Sequence, residues 1–299
     1  MTKKRRLPLW LAIPAGLILA CLLAVLALFL FLTNQPPNAL DSSGYYVRGG
    51  KVYYNRGFPG GPFIMSTADA WTFKILTSGY AHDQRQVYFL GSTLPAADVA
   101  SFVVLSNADT GQDKNHVYHG ATVISDDPAH FEFLGGSLTK DSQHVYWANQ
   151  VISDDPAHLV VIAQAGGYSY FKDSQTVFIQ GNPMAGADPA SFQVIQEDYA
   201  QDQHHLYYFD QVIAGADPAT FKVLASPYAQ DGQSVFFMER VIPGADPQTF
   251  KILNLAFQCA ADKSHAYYES QVIANADPQT FPADKPANNC TATDIFFSP

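Results

Sequence analysis

The chain has 299 residues, 47% hydrophobic and 13% aromatic, a composition that excludes a disordered protein and leaves ample length for a large buried core. Its formal net charge is −10. The first 32 residues hold four basic residues and no acidic one, so the remainder carries 13 basic against 27 acidic residues. That balance excludes a nucleic-acid partner, whose phosphates demand a basic face. The acidity itself reads as solubility and turn chemistry, because blocks of like charge are absent.

Lys3, Lys4, Arg5 and Arg6 form a basic tail over residues 1–6. Residues 7–32 follow without a single charge, more than the roughly 20 apolar residues that span a bilayer as a helix. The pattern predicts one transmembrane α-helix, an uncleaved signal anchor, with the basic tail in the cytoplasm and the rest of the chain outside the cytoplasmic membrane. A cleaved secretory signal has a shorter apolar region. A lipid-modified Cys21 fits poorly, because Leu22 to Leu32 is apolar where a polar tether belongs. Residues 33–43 read as a polar, proline-containing linker.

From Gly44 onward the chain repeats itself about every 30 residues. One landmark is an aspartate: Asp83, Asp113, Asp141, Asp173, Asp202, Asp231 and Asp262, with Arg48 in a divergent first copy. The second is the aspartate that aligns with the Ala-Asp-Pro turn: Asp69, Asp98, Asp127, Asp155, Asp188, Asp217, Asp246 and Asp277. A fixed period of this length marks a repeat architecture. In the stretch Tyr228–Leu253, Asp231 to Ser234 reads as a turn, Val235 to Met238 as a strand, and Val241-Ile242 as its hairpin partner. Asp246-Pro247 reads as the cap and first residue of a one-turn helix, and Phe250 to Leu253 as a further strand. The position five after the first aspartate is always aromatic, from Tyr53 and Tyr88 to Phe236 and Tyr267, and reads as core.

The expected architecture is an all-β array of about eight ~30-residue units, each a β-hairpin, a one-turn helix and a strand, over residues 44–282, with a C-terminal cap at 283–299. An open curved solenoid suits units this short; a propeller-like ring is the alternative, because the incomplete last copy invites completion by the first strands. Repeat one carries a Gly- and Pro-rich insertion from Arg56 to Pro62, and repeats three and four share an identical octapeptide at Val123–His130 and Val151–His158.

The strings Asp113-Lys114-Asn115-His116-Val117-Tyr118 and Asp262-Lys263-Ser264-His265-Ala266-Tyr267-Tyr268, with the Ala-Asp-Pro-x-Thr-Phe element, resemble the DKNYY family of bacterial repeat proteins over about Gly44 to Phe281. The resemblance implies a membrane-associated or exported bacterial protein. The family brings no established activity, so no catalytic residue carries over.

Chemistry-bearing residues were weighed against this repetition. Cys259 and Cys290 lie about one repeat apart and are expected to form a disulfide in an oxidising compartment. His130, His158, Asp127 and Asp155 form a weak candidate metal set, set against Thr220, Thr249 and Ser191 at the histidine position in other copies. Tyr54, Phe89, Trp147, Tyr208, Phe237 and Tyr268 are weak binding candidates, as an aromatic face for sugars or a peptide, against the plainer reading of an inter-repeat core. Two Ser-x-x-Lys strings, Ser137–Lys140 and Ser169–Lys172, lack every accompanying motif of penicillin-recognising enzymes. No cofactor fingerprint is present. The expectation is a non-catalytic binding or scaffolding module with the membrane, an envelope protein or a glycan as partner; an envelope hydrolase using acidic residues is the lesser alternative.

Overall fold

A computed structural model of the chain describes residues 15–33, 35–105, 109–165, 168–196, 198–282 and 285–298. The basic tail, residues 7–14 of the uncharged segment and residues 283–284 of the C-terminal cap lie outside them. Helix α1 runs Ala15–Thr33, with side chains described over residues 19–29. Among the described residues, no helix is long and apolar enough to cross a membrane. Residues 38–42 are more structured than a bare linker: the buried Asn55 side chain donates through Nδ2 to the carbonyls of Asn38 and Asp41, both at 2.9 Å.

The β region is a series of small antiparallel sheets in two compact units, Met1–Phe131 and Glu132–Pro299. Sheets one (44–64), two (74–94) and three (103–125) belong to the first unit. Sheets four (132–153), five (160–183), six (193–212), seven (222–241), eight (251–272) and nine (287–297) belong to the second. Sheet one has three strands, sheet nine has two, and the others have four in meander order. Each is open at both edges; none of the described strands closes a barrel.

Sheet seven shows the construction. Its strands are Lys222–Ala225, Tyr228–Gln230, Val235–Phe237 and Arg240–Val241. Tyr228 faces Phe237 and Ala229 faces Phe236 across the central pair. The Phe-x-x-Leu strand therefore opens a sheet; it does not close the preceding one. The period sets the repeat length but says nothing about where one unit ends, and hydrogen bonding to the Tyr-Ala-Gln strand decides it. That second strand was not anticipated. The expected one-turn helix is a 3-10 turn at Pro156–His158 and Pro278–Thr280 and a plain turn in the other copies. Within the C-terminal cap, Ile295–Phe297 pairs with Ala287–Cys290.

The core lies between consecutive sheets of a unit. Tyr199, Leu206 and Tyr208 of sheet six pack with Ala229 and Phe236 of sheet seven. Tyr228, Val235 and Phe237 of sheet seven pack with Ala260 and Tyr267 of sheet eight. Val235, Phe236 and Phe237 are all buried, so both faces of that strand are covered, as expected of a strand with apolar groups on each side. In the divergent first copy the buried pair shifts to Val52 and Tyr54, leaving the aligned Tyr53 half-buried.

Tyrosines of the second strand, and Tyr45 of the first strand of three-stranded sheet one, reach forward to the next sheet. Tyr45 donates to the Gly79 carbonyl (2.8 Å), Tyr80 to Gly120 (2.8 Å), Tyr199 to Pro227 (2.7 Å) and Tyr228 to Gln258 (2.5 Å). A buried hydroxyl needs such a partner, and here the partner lies one repeat away.

At the C-terminal end Cys259 and Cys290 are bonded, with Cα atoms 5.8 Å apart, which joins the second strand of sheet eight to sheet nine. Closing a loop of this length stabilises by about 3–4 kcal/mol in the chain-entropy model. Cys290→Ser is expected to lower the urea midpoint of sheets eight and nine while leaving the second-strand contacts of sheets five to seven intact. A thiol count of the full chain should find only Cys21 before reduction and three thiols after it.

Candidate functional site

The recurring aspartate is the charged group that the fold buries in copy after copy. Asp83, Asp113, Asp141, Asp173, Asp202, Asp231 and Asp262 are each at least nine-tenths buried. In every one, Oδ1 accepts the backbone N–H groups two and three residues on, at 2.6–2.9 Å. That closes the turn into the third strand. Oδ2 of Asp83, Asp113, Asp202, Asp231 and Asp262 accepts the N–H of the preceding Ala-Asp-Pro aspartate, at 2.7–3.0 Å. Oδ2 of Asp83, Asp113, Asp141, Asp202 and Asp262 also accepts the hydroxyl of Tyr88, Tyr118, Tyr146, Tyr207 and Tyr267, at 2.6–2.9 Å.

These bonds set the ionisation. Burial by itself would raise the Asp202 pKa; the Asp188, His204 and His205 amides and the Tyr207 hydroxyl outweigh it and hold it at about 2. Asp83, Asp113 and Asp262 are lowered by the same balance. Their tyrosine partners are raised, first by burial and then by the bond to the carboxylate. A carboxylate ionised at neutral pH and held by three or four donors, beside a protonated phenol, is a structural tie and a poor general base.

The Ala-Asp-Pro aspartate is the second tie. Asp217 accepts the Ala219 N–H (3.0 Å) and the Thr220 hydroxyl (2.9 Å), and Thr220 Oγ1 in turn accepts the Gly232 N–H of the next turn (3.1 Å). Thr249, Ser191, Ser101 and Thr72 accept in the same way from Lys263, Gln203, Lys114 and Gln84.

The identical octapeptides depart from this scheme. His130 and His158 take the threonine position, and each places Nδ1 on its own turn aspartate: His130 on Asp127 (2.8 Å) and His158 on Asp155 (2.7 Å). Each histidine thus has a turn role. Among the described residues, no group of three or more His, Cys, Asp or Glu side chains is placed to hold a metal ion. In the second octapeptide Ser153 acts as a relay: its hydroxyl accepts the Asp155 N–H (3.0 Å) and donates to Asp173 Oδ2 (2.6 Å). Ser153 thus stands between the Asp155 N–H and Asp173 Oδ2, groups that bond directly in copies such as Asp188 with Asp202, and the residue five after Asp173 is Phe178. A cavity of about 540 Å³ lies beside this turn, lined by Asp154, Asp155, Gln175 and Thr176 among others.

The six aromatic candidates do not form an open face. Tyr54, Tyr208 and Phe237 are buried, and Phe89, Trp147 and Tyr268 are half-buried. Trp147 stacks on Phe171 (ring centroids 5.7 Å apart, 23° between planes) and covers the turn glycine Gly181. Phe89 packs on Tyr80 at 4.8 Å and lies over Gly120. They fill the space between sheets, because a short two-layer unit needs a large side chain there to reach its neighbour. Both serines of the Ser-x-x-Lys strings sit at sheet positions: Ser169 in a strand, and Ser137 in the turn before one.

Sequence reasoning passed over Trp71. Its equivalents in the Ala-Asp-Pro turns of the other copies are Ala100, Ala129, Ala157, Ala190, Ala219, Gln248 and Gln279, so comparing turns copy by copy is the signal that finds it. The side chain is 94% exposed.

No curated protein and no solved structure gives a match to this chain. The profile of the DKNYY family matches residues 35–122, 118–240 and 238–291, which cover sheets one to eight and the first strand of sheet nine. The chain belongs to the DKNYY family.

Proposed function

We propose that this is a non-catalytic repeat protein of the bacterial cell envelope, held to the cytoplasmic membrane by residues 7–32 and acting outside it as a binding or scaffolding module. One observation carries the reading: the recurring carboxylates and phenols, the groups most suited to acid–base work, are engaged in hydrogen bonds with each other inside a repeat, and the carboxylates also bind the turn before it. A scaffold of that kind presents side chains from its turns, where copies differ. The anchor rests on the uncharged run of residues 7–32 after Lys3–Arg6. A glycan-binding module is the more specific form of the same reading; an envelope hydrolase needs a carboxylate outside the recurring ties, and Asp126 and Asp154 are the exposed ones in the octapeptides.

Full-length protein expressed in bacteria is expected to stay with membranes through an alkaline carbonate wash. Protease added outside spheroplasts should degrade the β region. Incubated with purified sacculi and envelope polysaccharides, it should release no fragment. Solubility after the wash contradicts the anchor. Fragment release abolished by Asp126→Asn or Asp154→Asn, with the fold retained, contradicts the non-catalytic reading.

A further inference from the structure

Sheet one opens the series, so no sheet packs on the face that it turns away from sheet two. Strand alternation puts Tyr46 and Arg48 of Gly44–Arg48, and Lys51, Tyr53 and Asn55 of Lys51–Asn55, on that outer face, while Tyr45, Val52 and Tyr54 take the core face. Residues 35–42 cover the outer face in place of a sheet. The Tyr46 hydroxyl donates to the Ser42 carbonyl (2.7 Å), the Arg48 guanidinium to the Gln35 carbonyl (3.1 Å), and Asn55 Nδ2 to the Asn38 and Asp41 carbonyls (2.9 Å each). The Arg56–Pro62 insertion lies against the same strap: a Cβ at Gly61 would be 3.7 Å from Ala39 Cβ, and one at Gly57 would be 3.8 Å from Ser43 Cβ.

Strap and insertion hold apolar side chains in solvent. Leu40 is 86% exposed and Phe58 80%, and Ile64, the cross-strand partner of Tyr53, is exposed beside them on the outer face. The charge also changes sign here. Of the 13 basic and 27 acidic residues beyond residue 32, residues 35–64 hold three basic and one acidic. The acid, Asp41, accepts from the Asn38 amide (3.0 Å) and from Asn38 Nδ2 (3.3 Å). Lys51 and Arg56 are exposed, and Arg48 lies half-buried over the Tyr46 ring at 5.2 Å. Among the described residues none of the three forms an ion pair, unlike Lys114, Lys140, Arg240 and Lys263.

Exposed Leu and Phe, with tyrosines and unpaired Lys and Arg, are the side chains that suit lipid headgroup depth. Chain length names the occupant. Gln35 lies two residues past Thr33, the last residue of α1, and two residues span at most about 7 Å. The strap therefore begins where the uncharged run ends, which leaves no space for a folded partner between strap and bilayer. We propose that the outer end of sheet one docks on the anionic headgroup surface of the membrane that residues 7–32 enter, with Leu40 and Phe58 in the interface and Lys51 and Arg56 on lipid phosphates. The proposal rests on the anchor reading and adds to it a second, electrostatic contact with the same bilayer.

The test is hydrogen exchange on the full-length chain, one chain per nanodisc, in discs of neutral phosphatidylcholine or of phosphatidylcholine with anionic phosphatidylglycerol. Each basic side chain brought to an anionic surface favours the docked state about fivefold. Amides of residues 56–62 are expected to exchange at least fivefold more slowly in anionic than in neutral discs, and high salt should erase the difference. Lys51→Gln combined with Arg56→Gln, and separately Phe58→Ser, should bring that ratio below twofold. Each ratio is taken within one variant, and unchanged exchange of Tyr80–His82 shows that the fold is retained. Equal exchange in the two lipids overturns the proposal, as does slowing that the variants leave unchanged. Slowing seen only with two chains per disc assigns the face to a second copy and overturns it too. In all of these the chain still travels with the disc and the anchor stands; a chain that does not enter discs defeats the anchor reading and the docking with it.

Discussion

Asp202→Ala is expected to destabilise the second unit by about 3–5 kcal/mol, because it strands three backbone N–H groups and one buried hydroxyl together. The Asp188, His204 and His205 amides and Tyr207 Oη all lose their acceptor. Asp202→Asn keeps one acceptor oxygen but turns an NH₂ group toward a donor, so about 1–3 kcal/mol is expected. Tyr207→Phe removes one donor and leaves three, a change that copies five and seven already carry as Phe178 and Phe236; about 1 kcal/mol is expected. Urea denaturation followed by tyrosine fluorescence ranks the three.

The pH dependence has a definite sign. Asp202 titrates at about 2 in the folded chain against 3.8 for a free aspartate. Its stabilisation is complete above roughly pH 4 and is lost as the pH falls toward 2, since protonation then favours the unfolded chain. Asp83, Asp113 and Asp262 are shifted in the same direction and add to the loss. The urea midpoint of the wild-type chain should therefore fall between pH 4 and pH 2.5, and Asp202→Asn should show a shallower fall.

Gly181→Ala is the second large effect. Gly181 has φ +79°, and a Cβ there would overlap Trp147 Cγ and Cδ1 and lie 2.8 Å from Trp147 Cβ. The left-handed backbone costs about 1–2 kcal/mol for an L residue, and overpacking adds about 1–3. A total of about 2–5 kcal/mol is expected. Gly244 is the control: its φ is +75°, but no atom lies within 4 Å of the added Cβ, so Gly244→Ala should show the backbone cost alone. Equal losses at the two sites would mean that Trp147 does not press on that turn.

The repeat, the turns, the aromatic third strand and the family were legible because each depends on residue types at fixed spacing. Tyr228–Gln230 was not, because a three-residue Tyr-Ala-Gln segment has too little β-branched content to stand out from a turn. Sheet boundaries were not, because a period carries no phase. Repetition led correctly to reading Asp231 and Asp246 as turn and cap residues, but it could not show that Asp246 N–H is itself bound by Asp262 one sheet on. The same reasoning set His130 and His158 beside Thr220, and each does bind its turn aspartate as the threonine does. The binding aromatics were sought on the strands, where side chains between sheets have to be large. The exception in a turn, Trp71, breaks the pattern by size and carries no strand signal.

The recurring aspartate holds the turn between two sheets to the turn before the third strand of the later sheet. Hydrogen exchange on the full-length chain, wild type against Asp202→Asn, tests it most directly. The amides of Asp188, His204 and His205 are expected to lose protection together, although Asp188 lies fourteen residues before Asp202, while the Asp246 amide, bound by Asp262, keeps its own. Loss confined to residues 202–207, with the Asp188 amide as protected as before, would contradict it.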